Sequence, residues 1–211
     1  MLCGAALAWA GSIETAFLEQ PWPKQRTRDY EVGKYAVQWR QAVKGRGEEI
    51  FAGAAFVSPA APQATWDLAT DYPGLGTMTP GVEQVQVLED TPARQAIQID
   101  IKVLWKKLRL VFEIEREPPS VARFRLVNEV VGEYRGLCRM SPAGEQTRVE
   151  LATWLRPAVR VPPGLILWVE RVAMLRGIRE FLKDCEQAAP SVARLTVSDK
   201  NSILMSLRST N

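Results

Sequence analysis

Ile97-Gln98-Ile99-Asp100-Ile101-Lys102-Val103, followed by Leu108-Arg109-Leu110-Val111-Phe112-Glu113-Ile114-Glu115, is the stretch that decides the fold. Ile97, Ile99, Ile101 and Val103 alternate with Gln98, Asp100 and Lys102; Leu108, Leu110, Phe112 and Ile114 repeat the pattern against Arg109, Glu113 and Glu115. Successive strand residues point to opposite faces, so a period of two predicts antiparallel strands with one dry face and one wet face. The runs sit at hairpin spacing, too close for helical crossovers, which predicts a meander.

The same alternation continues downstream. After the turn Glu117-Pro118-Pro119-Ser120, Phe124 and Leu126 oppose Arg123 and Arg125. Tyr134 to Met140 follows, then the turn Ser141-Pro142-Ala143-Gly144. Val149, Leu151, Thr153 and Leu155 close the series against Arg148, Glu150 and Arg156. Pro157 and Pro162-Pro163 end the sheet, and Gly164 to about Gln187 reads as the longest helix. Its expected buried stripe is Leu165, Trp168, Val169, Val172, Leu175, Ile178 and Leu182, with Glu170, Arg171, Arg176, Arg179, Glu180 and Lys183 facing out.

Upstream, Val82, Val85 and Val87 open the meander. Tyr35 to Val43 and Ile50 to Val57 read as strands around the turn Lys44-Gly45-Arg46-Gly47. Ser58-Pro59 leads into a helix over Ala60 to Thr70 that offers Ala64, Trp66 and Leu68 for burial. Asp71-Tyr72-Pro73-Gly74-Leu75-Gly76 breaks it, and a second short helix runs to Thr79-Pro80-Gly81. The domain division that follows is 1–18, an apolar segment; 19–46, a basic linker with an extra strand; 47–189, the main domain; and 190–211, a tail.

The chain of 211 residues contains no histidine. That excludes Ser-His-Asp and Cys-His nucleophilic machinery and histidine metal ligands, and leaves acid-base work to carboxylates, Tyr, Lys or Arg. The net charge of +3 is uneven. Residues 48–211 are neutral, while Lys24, Arg26, Arg28, Lys34, Arg40, Lys44 and Arg46 outnumber Glu19, Asp29 and Glu31 in the segment before them. A neutral main body argues against a nucleic-acid partner. Cys3, Cys138 and Cys185 have no CxxC spacing and fit neither a zinc site nor a disulfide framework, although Cys138 and Cys185 could pair in an oxidising compartment. Leu2 to Ala10, ending in Ala8-Trp9-Ala10, resembles the core and cleavage site of a secretory signal without its basic start, and is too short to span a bilayer. Export to the periplasm is one reading; a short helix docked on a cytoplasmic domain is the other.

The order of strands, two short helices, meander and long helix resembles the START-like superfamily, also called SRPBCC, helix-grip or birch-pollen-allergen-like. Within it the chain is similar to the polyketide cyclase/dehydrase group, also described as coenzyme Q-binding START domains. The residues that carry the resemblance begin with Val57-Ser58-Pro59-Ala60-Ala61-Pro62, Trp66, Thr70-Asp71-Tyr72, Pro80-Gly81-Val82 and Val85-Gln86-Val87-Leu88. They continue with Glu117-Pro118-Pro119, Phe124-Arg125-Leu126-Val127, Gly136, Ser141-Pro142, Thr147-Arg148-Val149 and Pro157, within Glu48 to Gln187. Relatives tend to carry Trp where Cys138 stands and an aromatic where Glu150 stands. The resemblance implies an α+β helix-grip fold: a curved antiparallel sheet wrapped around a long C-terminal helix, with two short helices after the first strand.

A sheet curved around one helix leaves a cavity between them. The residues expected to line it are Ile99, Ile101, Leu110, Phe112, Phe124, Leu126, Asn128, Tyr134, Thr153, Trp168, Val172 and Leu175. Asn128, Tyr134 and Thr153 share parity with apolar neighbours, and a buried polar group needs a hydrogen-bond partner, which a ligand can supply. The expected function is non-catalytic binding or transport of a hydrophobic small molecule, such as a lipid, isoprenoid quinone or polyketide-like compound, with no cofactor. The alternative is a polyketide cyclase or dehydratase using Tyr134 as its acid-base group. A third reading is peripheral membrane or protein contact through the basic segment 24–46 and the tail.

Overall fold

A computed structural model describes residues 13–19, 22–78, 81–103 and 106–189. Among these residues nine strands form one sheet in the order β1-β2-β3-β9-β8-β7-β6-β5-β4. In chain order they are β1 (Arg26–Val32), β2 (Tyr35–Lys44), β3 (Glu49–Ser58), β4 (Val82–Asp90), β5 (Arg94–Val103), β6 (Lys106–Glu117), β7 (Val121–Leu126), β8 (Gly132–Ala143) and β9 (Gln146–Pro157). Every neighbouring pair is antiparallel. The helices are α1 (Ile13–Glu19), α2 (Pro62–Thr70), α3 (Tyr72–Met78) and α4 (Pro163–Ala188). The chain leaves β3, crosses through α2 and α3 to the far edge at β4, and returns strand by strand until β9 pairs with β3.

Two cores sit on opposite faces of this sheet. On the concave side α4 brings Leu167, Ile178, Phe181, Leu182 and Cys185 against Val37, Trp39, Ile50, Phe56, Trp66 and Val149. Trp66 is therefore the anchor of α2, as expected. On the convex side α1 packs Phe17 and Leu18 against Phe51, Leu137, Ala152 and Trp154. Phe17 stacks on Phe51 with ring centroids 5.5 Å apart. Gly53 permits that approach, because a Cβ there would lie 3.0 Å from Cε1 of Phe17 and 2.8 Å from the Leu151 carbonyl oxygen.

The N-terminal segment departs from the sequence reading. Residues 19–34, polar and holding Pro21 and Pro23, read as linker ahead of the strand at Tyr35, yet they contain β1, whose Arg26, Arg28, Tyr30 and Val32 share one face while Thr27, Asp29 and Glu31 share the other. Pairing with β2 in register, Tyr30 opposite Val37 and Arg28 opposite Trp39, outweighs the polarity of the strand. The part of the apolar N-terminal segment within the described residues is α1, docked on the sheet; residues 1–12, on which the signal-like reading rests, lie outside them.

A buried knot of hydroxyls joins the two ends of the domain. Thr147 Oγ1 donates to the Ala60 carbonyl at 2.8 Å, Thr65 Oγ1 lies 3.2 Å from Thr147 Oγ1, and Ser58 Oγ lies 3.1 Å from Thr65. All three side chains are fully buried. They fix the start of α2 to the adjacent ends of β3 and β9, so the floor and one wall of the concave space are held in register.

Candidate functional site

Between the concave face and the helices lies a cavity of about 450 Å³. Phe124 on β7, Tyr134, Cys138 and Met140 on β8, and Val149, Leu151 and Thr153 on β9 form its sheet wall. Trp66, Ala69, Thr70 and Tyr72 close one side from α2 and α3, while Val169, Glu170, Ala173, Met174, Gly177, Ile178 and Phe181 form the α4 wall. The walls are mostly apolar. Strand parity explains the sheet contribution: Tyr134, Gly136, Cys138 and Met140 share the concave face with Val149, Leu151 and Thr153.

Small residues make the space. Phe124 lies directly opposite Gly136 across the β7–β8 ladder, and its ring covers that glycine. On α4, a Cβ added to Gly177 would meet nothing within 4 Å. A glycine inside a helix is about 1 kcal/mol less favourable than alanine, so this position keeps its opening at the expense of helix stability.

One polar cluster projects into the apolar space. Glu170 Oε2 lies 3.4 Å from Thr153 Oγ1, and Thr153 Oγ1 lies 3.3 Å from the Ala52 carbonyl oxygen. The threonine has one proton to donate, so it satisfies either the carbonyl or the carboxylate. With Glu170 ionised, Thr153 donates to the carboxylate; with Glu170 protonated, the carboxyl can donate to Thr153 while Thr153 donates to Ala52. Burial pushes the Glu170 carboxyl up to about 7, the Thr153 hydrogen bond opposing the shift only in part. Tyr134 faces the same pair; burial, reinforced by the negative charge of Glu170, raises its phenol and keeps it protonated. Its ring packs with Phe112 and Phe124, each with centroids 6.1 Å away. Cys138 is a free thiol in the wall, and burial moves it up to about 12.

Of the residues expected to line the cavity, Phe124, Tyr134 and Thr153 do so. Phe112 stands behind them, edge-on to the Phe124 and Tyr134 rings. Leu126 is buried in the sheet away from the opening, and Ile99, Ile101 and Leu110 lie on the β5–β6 wing, outside the cavity wall. Asn128 is exposed just beyond the end of β7, where its side chain binds the backbone of β6 in mid-strand, accepting from Val111 N at 3.2 Å and donating to Arg109 O at 2.7 Å. Its parity with Leu126 fails because β7 ends at Leu126.

The larger correction concerns α4. Trp168 and Val172 are 54% and 46% exposed and point away from the sheet; Leu175 packs at the edge of the core rather than on the cavity. Glu170, expected in solvent, faces inward. The first half of α4 is apolar nearly all round, from Leu165 to Leu175, so apolar periodicity there selects no face. Phe181 does: counting back from it, Gly177, Met174 and Glu170 lie on one row. That row is the signal by which the inward position of Glu170 could have been found.

These features define a helix-grip domain with an apolar internal cavity and one convergent polar end. The chain belongs to the family described as polyketide cyclase / dehydrase and lipid transport, whose sequence model matches residues 58–182. Among solved structures, it is similar to a protein of Thermus thermophilus at 26% identity, with a TM-score of 0.54 over 66% of this chain and 96% of that one. The Zhui aromatase/cyclase of a Streptomyces species matches at 16% identity and TM-score 0.57, covering 68% and 97% of the two chains. A STAR-related lipid transfer protein from Xanthomonas axonopodis matches at 15% identity and TM-score 0.61, covering 74% and 98%. A comparison with curated proteins gives no match.

Proposed function

We propose that the protein binds a hydrophobic small molecule carrying one hydrogen-bonding end, with its apolar body in the cavity and its polar end at Glu170, Thr153 and Tyr134. The observation that carries this reading is the convergence of those three side chains on one region of an otherwise apolar space of about 450 Å³. Burial of apolar ligand surface supplies the affinity, on the order of 25 cal/mol per Å² before the costs of association. The cluster sets orientation. Tyr134 offers a donor, and Glu170 near neutrality offers either a donor or an acceptor, which suits a carbonyl or hydroxyl group such as those of quinones, sterols or polyketides.

Gly177→Leu tests it, because the new side chain enters the cavity while the helix gains a better helix former. Wild-type protein purified under native conditions should release a small apolar compound on solvent extraction and take up 1-N-phenylnaphthylamine. The variant should do neither while melting at the same temperature or higher. Equal dye uptake by both proteins would sink the proposal.

The position of Glu170 favours a second reading. A carboxyl poised near 7 opposite a phenol is equipped for acid-base chemistry on a poly-keto chain. Glu170 would take and return the proton; Tyr134, held in its protonated form, would hydrogen-bond a carbonyl oxygen rather than act as the base. Glu170→Gln separates the readings: a carrier keeps its ligand, whereas a cyclase keeps its substrate but loses turnover.

A further inference from the structure

A second cleft of about 450 Å³ opens where α4 crosses the N-terminal hairpin, lined by Arg26, Thr27, Arg28 and Tyr30 of β1, Trp39 and Gln41 of β2, and Arg171 of α4. We propose that it binds a phosphoryl group. Three guanidinium side chains converge on this space, and no carboxylate lines it. Arg28 and Arg171 each lie 5.8 Å from the centroid of the Tyr30 ring, and Arg171 Nη1 donates to Tyr30 Oη at 3.2 Å. The two cations thus share one aromatic ring, an arrangement in which they repel each other unless an anion sits between them.

No carboxylate among the described residues supplies that anion. Among the described residues none of the three arginines takes part in an ion pair; in this they match Arg40, Arg46, Arg135, Arg160, Arg176 and Arg179, which do not share one cleft, and differ from Arg94, Arg109, Arg116, Arg123, Arg125, Arg139, Arg148 and Arg156. The nearest acidic residues in sequence, Asp29 and Glu31, lie on the opposite face of β1 by strand alternation, and Glu170 points into the other cavity. Planar guanidiniums grip phosphate oxygens in pairs, and three of them match a dianion better than a single carboxylate. Gln41, whose Oε1 is engaged by Trp39 Nε1 at 2.9 Å, keeps its amide protons for the same guest. The cleft has room for more than one phosphate, so the guest is a phosphoryl group on a larger molecule.

Two sources share this chemistry, a free phosphorylated compound and a lipid headgroup, and two measurements on the full chain distinguish them. The first is titration calorimetry with inorganic pyrophosphate at low ionic strength. The second is sedimentation with phosphatidylcholine vesicles with and without 20% phosphatidic acid. The variants are Arg28→Gln and Arg171→Gln, with Arg176→Gln and Arg179→Gln, exposed on the same helix, as charge-matched controls. Single-site binding of pyrophosphate, weakened at least 10-fold by either cleft variant and unchanged in the controls, establishes a site for a free phosphorylated ligand. Sedimentation only with phosphatidic acid, with the same variant dependence and no pyrophosphate binding, assigns the site to a headgroup. No binding to either probe, or equal weakening in the controls, overturns the proposal.

Discussion

A Cβ on Gly136 would come 1.9 Å from Cζ of Phe124, so the phenyl ring occupies the place of the missing side chain. The ring lies flat along the sheet instead of standing into the cavity. Gly136→Ala must swing Phe124 off the strand toward Thr153 and Tyr134. The expected result is a loss of about 1–3 kcal/mol in stability together with weaker uptake of 1-N-phenylnaphthylamine. Denaturant melts and dye titration on one preparation check both. A stable variant with unchanged uptake would show that Phe124 does not shape the cavity.

Glu170 gives the protein a pH signature. Its folded-state carboxyl lies near 7 against an ordinary value of 4.5, so between those values the folded chain holds a proton that the unfolded chain has released. Stability therefore falls as pH rises from about 4.5 to about 7 and levels off above, by on the order of 2–3 kcal/mol from this group. Glu170→Gln should remove that slope. Glu49, Glu113 and Glu150 have lowered carboxyls, and their contributions are lost only as pH falls below about 4.5, outside the window. Urea midpoints for both proteins at pH 5, 6, 7 and 8 decide the matter.

Cys138 should be a slow thiol. With its acidity moved from 9 to about 12, the thiolate at pH 8 is about 1000-fold scarcer than for an ordinary cysteine. In a Cys3→Ser chain, iodoacetamide should label the folded protein far more slowly than the urea-unfolded one, as followed by mass spectrometry. An apolar cavity occupant should slow Cys138 further and leave Cys185 unaffected, since Cys185 is buried outside the cavity wall.

The hydroxyl knot can be cut at Thr147. Thr147→Val removes the donor to Ala60 and the partner of Thr65; Thr65, 3.1 Å from the same carbonyl, compensates in part. A cost of about 1–2 kcal/mol follows, and Thr147→Ser should recover most of it. Chemical denaturation with an unchanged slope is the relevant measurement. A null effect would mean that Thr65 alone satisfies the Ala60 carbonyl.

The meander, the α2 anchor Trp66 and the long helix were legible because alternation and turn residues are local signals. The wall of the cavity was legible only where strand parity holds, at Phe124, Tyr134 and Thr153. Asn128 escaped because parity says nothing about where a strand stops. Glu170 escaped because Leu165, Ile166, Leu167, Trp168 and Val169 cover the helix all round, leaving its orientation to be set a full three turns later by Phe181. The strand β1 escaped because its charges looked like a solvated linker. Its partner residues, Val37 and Trp39, are what hold it.

Adjacent residues on α4 serve different neighbours: Glu170 faces the cavity and Arg171 the hairpin cleft, about 100° apart around the axis. The phase of this helix is consequently constrained twice. Inserting a single residue between Pro163 and Glu170 would carry the carboxylate toward the arginines and Val169 toward the cavity, while deleting one would carry the Arg171 guanidinium toward the apolar wall and Val172 toward the cleft, so either change alters both places. Length changes in the loop before Pro163 carry no such penalty, so variation among natural sequences should collect there and stop at the first turn of the helix.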